Sequence, residues 1–279
     1  MVKNMIECSP EQFEEAKKDI LEMEFHGFKP DKHPKAYLVC GQPGAGKTYL
    51  IQHIREKNFA FINGDTFRSF HPAIEELKER LGEGYIEATR EFNGKMTEAL
   101  IEDLSNKKYN LIIEGTMRTT EVPLKTKRLL EAKGYEVSLH VLVVRPEISY
   151  LRAKKRYVDM KALGLIPRKT DASFQQNITE GLAKNLETLY KSKEFREICL
   201  YKEVNDELTC IYSSKERPTK NPAPLLEEGH KQKYTTSEVN QIKKSFSKML
   251  SEEEWNQLFK GRVQKGLSRK ASDCQKEKE

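Results

Sequence analysis

The residues whose chemistry is plainest are Gly41-Gln42-Pro43-Gly44-Ala45-Gly46-Lys47-Thr48, which satisfy G-x-x-x-x-G-K-[ST] at every fixed position. Glycines let a backbone curl without Cβ clashes, so that successive N–H groups and a helix N-terminus converge on phosphate oxygens. Lys47 supplies a point charge for β and γ phosphates, and Thr48 is placed to offer its hydroxyl to Mg²⁺. The run from Gly41 to Tyr49 is therefore a candidate nucleotide-binding loop, a P-loop, with ATP or GTP and Mg²⁺ as the expected ligands.

Two carboxylates follow at positions that a parallel sheet would bring to the same edge. Asn63-Gly64-Asp65-Thr66-Phe67 ends one apolar run, and Ile112-Ile113-Glu114-Gly115-Thr116-Met117-Arg118 ends another. Ligands of parallel α/β sheets bind outside the carboxyl ends of the strands. Asp65 can take the proton of a hydroxyl attacking a γ-phosphate, or it can simply cap the helix expected after Thr66. Glu114 can hold Mg²⁺ through water, fix part of an acceptor, or complement a helix N-terminus. Tyr150 to Tyr157 carries Arg152, Lys154, Lys155 and Arg156, with Arg168-Lys169 after a break at Gly164 and Pro167. Arginines on such a segment can close over a transferring phosphoryl group, and the same run also fits a solvated helix face.

These groups need elements to hold them. Ser9-Pro10 with Gln12 forms a capping box with proline at the first helical position, predicting a helix over about Pro10 to Glu24. Apolar runs at Lys35 to Cys40, Phe59 to Asn63, Tyr109 to Glu114 and Val137 to Val144 alternate with helical stretches, the first of them Thr48 to Lys57. Such alternation predicts an α/β fold, a parallel sheet covered by helices on both faces. Cys199 to Lys202 and Leu208 to Tyr212 flank an Asn205-Asp206 turn and read as a last strand with or without a hairpin partner. The expected organisation is a P-loop domain over residues 1–213, a proline-rich linker over 214–236, a helical extension over 237–262 and a disordered basic tail over 263–279. Ser237 is the expected cap of the first extension helix, which carries Val239, Ile242, Phe246, Met249 and Leu250, and Ser251 with Glu254 caps the second.

Composition narrows the class. At 279 residues and 37% apolar content the chain can bury one sizeable core plus an appendage. No run reaches the 18 to 20 apolar residues of a membrane helix, and the N-terminal segment lacks the apolar stretch of a signal peptide, so a cytoplasmic protein is expected. The five cysteines include no C-x-x-C pair, which argues for reduced thiols and against zinc. The net charge of +6 lies mostly beyond residue 214, where 15 Lys/Arg face 10 Asp/Glu. That is a charged tail rather than the clustered basic face that nucleic-acid recognition requires.

Together GQPGAGKT, NGDTFRSFHP (63–72), KMTEALI (95–101), YNLIIEGTMRTTEVP (109–123) and NLETLYKSKEF (185–195) resemble the zeta toxins, the kinase components of bacterial toxin–antitoxin pairs. The likeness runs from about Ala36 to Ser213. It implies a three-layer P-loop NTPase fold of the nucleoside-monophosphate-kinase-like group. It also implies an ATP- or GTP-dependent kinase that phosphorylates UDP-N-acetylglucosamine on the 3′-hydroxyl of its amino sugar, and a cognate antitoxin protein as partner. By the same resemblance Lys47 is the phosphate lysine, Asp65 the catalytic base and Glu114 the strand-end glutamate. Arg156 and Arg168 would touch the transferred phosphate, and Glu98, Thr116 and Arg118 would position the acceptor sugar. Two rival readings start from the same motif: a P-loop kinase with another acceptor, such as a nucleotide, an antibiotic or an RNA end, and a nucleotide-dependent switch whose helical tail binds a partner.

Overall fold

A computed structural model describes residues 8–167, 172–205, 207–247 and 249–264. Its core is a six-stranded sheet formed by β1 (Lys35–Cys40), β2 (Phe59–Ile62), β3 (Asn110–Gly115), β4 (Glu136–Leu142), β5 (Glu197–Val204) and β6 (Glu207–Ser213), in the order β2-β3-β1-β4-β5-β6. All neighbours run parallel except β5 and β6, which form an antiparallel edge hairpin. The helices are α1 (Pro10–Glu24), α2 (Lys47–Ile54), α3 (Ile74–Leu81), α4 (Tyr85–Ala88), α5 (Arg90–Asn106), α6 (Glu121–Ala132), α7 (Pro146–Ala162), α8 (Ala172–Ser192), α9 (Ala223–Lys231), α10 (Thr236–Ser245) and α11 (Glu252–Leu258). Short 3₁₀ turns cover Gly64–Phe70 and Gly82–Gly84.

Side chains alternate across a strand, so one strand feeds two cores. Ala36, Leu38 and Cys40 of β1 join the larger core with residues of α1, α5, α6 and α8, whereas Val39 joins Leu50 and Ile51 of α2. The sheet is thus covered on both faces, which is why its central strands read as unbroken apolar runs. β1 lies in the middle, between β3 and β4. The chain leaves β1 for the β2 edge and later returns to the other side through β4, so the strand order reverses around β1. In open α/β sheets that reversal is where a ligand crevice forms.

The capping box of α1 forms as the sequence demands, with the Gln12 amide donating to Ser9 Oγ at 3.2 Å and the Ser9 amide to Gln12 Oε1 at 3.0 Å. Three expectations need correction. The stretch expected as a linker contains α9, whose Leu226 is fully buried, and the larger compact unit extends to His230 rather than to residue 213. Prolines here start a helix instead of preventing one: Asn221 Oδ1 accepts the Ala223 amide at 3.0 Å, and Pro222 and Pro224 fall where a helix needs no donors. Secondly, α10 is capped by Thr235, not Ser237, because Glu238 stands three residues after Thr235 and closes the reciprocal box. Phe246 is its C-cap, so Met249 and Leu250 lie beyond the helix. Thirdly, Val263 of the expected disordered tail bridges to Tyr234; residues 265–279 lie outside the described residues.

The second compact unit begins at Lys231 and has its own small aromatic core. In it Trp255 and Phe259 stack at 5.7 Å and Tyr234 meets Phe259 edge-on at 5.0 Å. Among the described residues no helix is long and apolar enough to cross a membrane.

Candidate active site

The P-loop leaves β1 at the centre of the sheet and enters α2. Gly44 and Gly46 take φ of +77° and +94°, a left-handed backbone that L side chains rarely adopt. Gly44 has a second reason to lack a side chain, since a Cβ there would stand 2.0 Å from the Ser149 carbonyl oxygen of α7. Gly46 caps α2 with no side-chain hydrogen bond, so no side chain takes up the first N–H groups of the helix, as an anion site requires.

Gln42 is fully buried, and its Nε2 donates to the Val144 carbonyl at 2.8 Å and to Ser149 Oγ at 3.3 Å. Its side chain therefore ties the loop to the β4–α7 junction, and its backbone is what remains for a phosphate. Pro43 and Ala45 are buried in the same loop, whereas Thr48 and Tyr49 are exposed on the first turn of α2.

Lys47 is nine-tenths buried, with its Nζ donating to the carbonyls of Gly41 (3.1 Å) and Gln42 (3.3 Å) and 3.5 Å from Glu114 Oε1. Burial holds the ammonium below its ordinary range, against the attraction of Glu114, and the like charge of Arg156 pulls in the same downward direction. Glu114 reaches this position because β3 pairs with β1 in a register that sets it opposite Val39. Its Oε2 is buried and has no hydrogen-bond partner among the described residues. An orphaned carboxylate oxygen beside a P-loop lysine fits a cation or its bound water, and Thr48 with Glu114 is the donor set that would hold Mg²⁺ here.

Of the residues expected to hold the acceptor, Glu98, Glu114, Thr116 and Arg118 line one cavity of about 660 Å³, between α5, the end of β3 and α6, and Asp65 is not among its lining residues. The loop that carries Thr116 and Arg118 passes through Met117, whose φ is +54°. It is pinned from α8, where Asn185 Nδ2 donates to the carbonyls of Met117 (3.0 Å) and Arg118 (2.8 Å). Glu98 also pairs with Lys125, both carboxylate oxygens lying 3.1 Å from its Nζ.

Asp65 lies just after β2 in the 3₁₀ turn, exposed, with Oδ1 3.7 Å from Arg68 Nη2. The cap of that turn is Asn63, whose Oδ1 accepts the Asp65 amide at 3.0 Å, so the purely structural role open to Asp65 is filled by its neighbour. Arg156 is exposed on α7, and Arg152 on the same helix reaches the loop, its Nη1 standing 3.6 Å from where a Cβ of Gly46 would be. Arg168 lies outside the described residues. Reading by motif passed over Lys125 and the partners of Arg68 and Asn185: the last two lie in segments quoted above, but a segment does not show that Arg68 reaches Asp65, that Lys125 reaches Glu98 or that Asn185 pins the loop at Met117.

The chain matches the zeta toxin family over residues 18–217. It is 38% identical to Toxin zeta of Streptococcus pyogenes over 240 residues, covering 85% of this chain and 83% of that one. It is 40% identical over 209 residues to Toxin PezT of Streptococcus pneumoniae serotype 4, covering 72% and 80% of the two chains. A solved structure from the PezAT chromosomal toxin–antitoxin system of Streptococcus pneumoniae superposes with a TM-score of 0.76 at 34% identity, over 90% of this chain and 97% of that one. With the P-loop, the strand-end glutamate and the cavity between α5 and α6 all in place, the chain belongs to the zeta toxin family.

Proposed function

We propose that this chain transfers the γ-phosphoryl group of ATP or GTP to the 3′-hydroxyl of the amino sugar of UDP-N-acetylglucosamine, and that it does so as a cytoplasmic toxin restrained by a cognate antitoxin. The observation that carries the reading is the junction of two sites at Glu114: the same carboxylate pairs with the P-loop lysine and lines the cavity that holds Glu98, Thr116 and Arg118. A donor phosphate bound at Lys47 and an acceptor bound in that cavity would meet there.

In this reading the loop amides and Lys47 hold the β and γ phosphates, and Thr48 with Glu114 retains Mg²⁺. The metal would neutralise charge on the phosphate oxygens as the bond to the leaving group breaks. Glu98, Thr116 and Arg118 orient the sugar nucleotide, and Asp65 receives the proton of its hydroxyl as the new O–P bond forms. Arg156, with Arg168, supplies positive charge over the transferred group. Membership of a toxin family, and the toxin–antitoxin system from which the PezAT structure comes, support the restrained-toxin role.

The test is incubation of the purified protein with Mg²⁺, ATP or GTP, and UDP-N-acetylglucosamine, with the sugar nucleotide followed by mass spectrometry. Gain of one phosphate by the wild type, lost in Asp65→Ala while nucleotide still binds, is the expected outcome. An unchanged sugar nucleotide would reject this acceptor, and near-wild-type transfer by Asp65→Ala would reject Asp65 as base.

A further inference from the structure

Gly64 stands between the capping residue Asn63 and the aspartate read above as the base. Its φ lies outside the left-handed region, so backbone conformation alone does not demand glycine here. Space does. A Cβ on Gly64 would lie 2.9 Å from Thr97 Oγ1, 3.4 Å from Asn93 Nδ2 and 4.0 Å from Thr97 Cβ. The nearest of these is closer than real Cβ contacts allow, so an added methyl must displace something.

The neighbours have little freedom to give. Thr97 Oγ1 donates to the Asn93 carbonyl at 2.7 Å, within the second turn of α5, and Asn93 is nine-tenths buried. On the far side the turn is fixed by Asn63, which accepts the Asp65 amide at 3.0 Å and, through its carbonyl, the Thr66 hydroxyl at 2.8 Å. Phe67, 1% exposed, anchors the turn in the main core. α5 has Phe92, Met96 and Leu100 in the main core, whereas Asp65 and Thr66, between the anchors Asn63 and Phe67, are exposed, so a methyl at 64 displaces that short exposed stretch more readily than it moves α5.

That direction matters because α5 is also a wall of the acceptor cavity, through Gly94, Thr97, Glu98 and Ala99. One helix thus packs against the turn that carries Asp65 and also lines the cavity read above as the acceptor site, which Asp65 itself does not line. We propose that Gly64, seated against Thr97 and Asn93, is a positioning residue that fixes how far the Asp65 carboxylate stands from the acceptor hydroxyl. The inference rests on the kinase reading of the site.

A shift of a few tenths of an ångström up to an ångström is enough to cost about 10- to 100-fold in a step that depends on placement. Gly64→Ala is expected to lower kcat by that factor with acceptor KM changed by less than about threefold, since the cavity and the P-loop keep their shape. Thr97→Ala removes the atom at 2.9 Å and leaves room for the methyl, so the double variant Gly64→Ala/Thr97→Ala is expected to return kcat to within a few-fold of Thr97→Ala alone. The double variant also remains informative if Gly64→Ala by itself folds poorly.

Wild-type kcat in Gly64→Ala, or a loss of the same size whether residue 97 is Thr or Ala, overturns the inference. The kinase reading is judged separately, on whether the wild type transfers phosphate at all. Coupling between positions 64 and 97 is measured in parallel by denaturant unfolding, which needs no substrate, and additive stability changes there would also overturn the lock.

Discussion

At the scale of single residues the centre of the site is a buried ion pair whose two members have different reasons to be there. Lys47 is drawn inward by two loop carbonyls as well as by Glu114, whereas Glu114 has one oxygen on Lys47 and the other with no hydrogen-bond partner among the described residues. Removing the cation from such a pair leaves a buried carboxylate uncompensated, which is more damaging than removing both charges. Lys47→Ala is therefore expected to destabilise the nucleotide-free protein by about 1–3 kcal/mol more than the double variant Lys47→Ala/Glu114→Gln, measured by urea unfolding at pH 7.5. Both variants are expected to lose nucleotide affinity, because the phosphate charge partner is gone in each. Equal stability of the single and double variants would mean that water already screens Glu114 and that the pair carries no electrostatic strain.

At the scale of elements, what the sequence made legible and what it hid divide along a physical line. The P-loop, β1 and the capping box of α1 announce themselves through signals contained within a few residues, and Lys35–Cys40 and Pro10–Glu24 appear in the structure with the bounds that patterning assigns. Asp65 and Glu114 were readable as strand-end carboxylates because a parallel sheet places every carboxyl end on one edge. The loop that carries Thr116 and Arg118 was not readable in this way, since its shape depends on Asn185, 67 and 68 residues away in sequence. Met117 holds φ +54°, a conformation that costs a non-glycine residue about 1 kcal/mol or more and persists only under outside restraint. Asn185→Ala is expected to release that loop, raising acceptor KM about tenfold with nucleotide affinity unchanged. Steady-state kinetics with the acceptor varied, beside a nucleotide titration, separate the two quantities. An unchanged acceptor KM would show that Met117 keeps its conformation without α8. The proline-rich 214–236 stretch misled for a related reason: its prolines fall before and within the first turn of α9, and only tertiary burial of Leu226 distinguishes a helix start from a linker there.

At the scale of the whole molecule, the sheet carries a titratable group in its middle that ties global stability to pH. His140 of β4 is 6% exposed, between Tyr37 of β1 (ring centroids 4.8 Å apart) and Tyr201 of β5 (5.7 Å), with Nε2 2.8 Å from Ser138 Oγ and Nδ1 3.2 Å from the Tyr201 hydroxyl. Burial lowers its pKa from 6.5 to about 4, with Glu197 opposing and Lys215 reinforcing the shift. The unfolded chain therefore takes up this proton before the folded one does. The stabilisation is complete above pH 6.5, falls as pH drops through the interval between 6.5 and about 4, and falls no further below it. His71, whose pKa burial also lowers, acts in the same direction from outside the sheet. Between pH 7.5 and 4.5 the single site is worth about 2–3 kcal/mol of lost stability. His140→Gln keeps polar atoms near Ser138 and Tyr201 but does not titrate, so its unfolding free energy is expected to decline less than that of the wild type over the same interval. The carboxylates and His71 are common to both proteins and cancel in the comparison. Urea unfolding at the two pH values measures that difference directly: parallel declines would mean that the ring is solvated or protonated in the fold, and a wild-type excess of the expected size would assign that share of the acid loss to the buried neutral imidazole of β4.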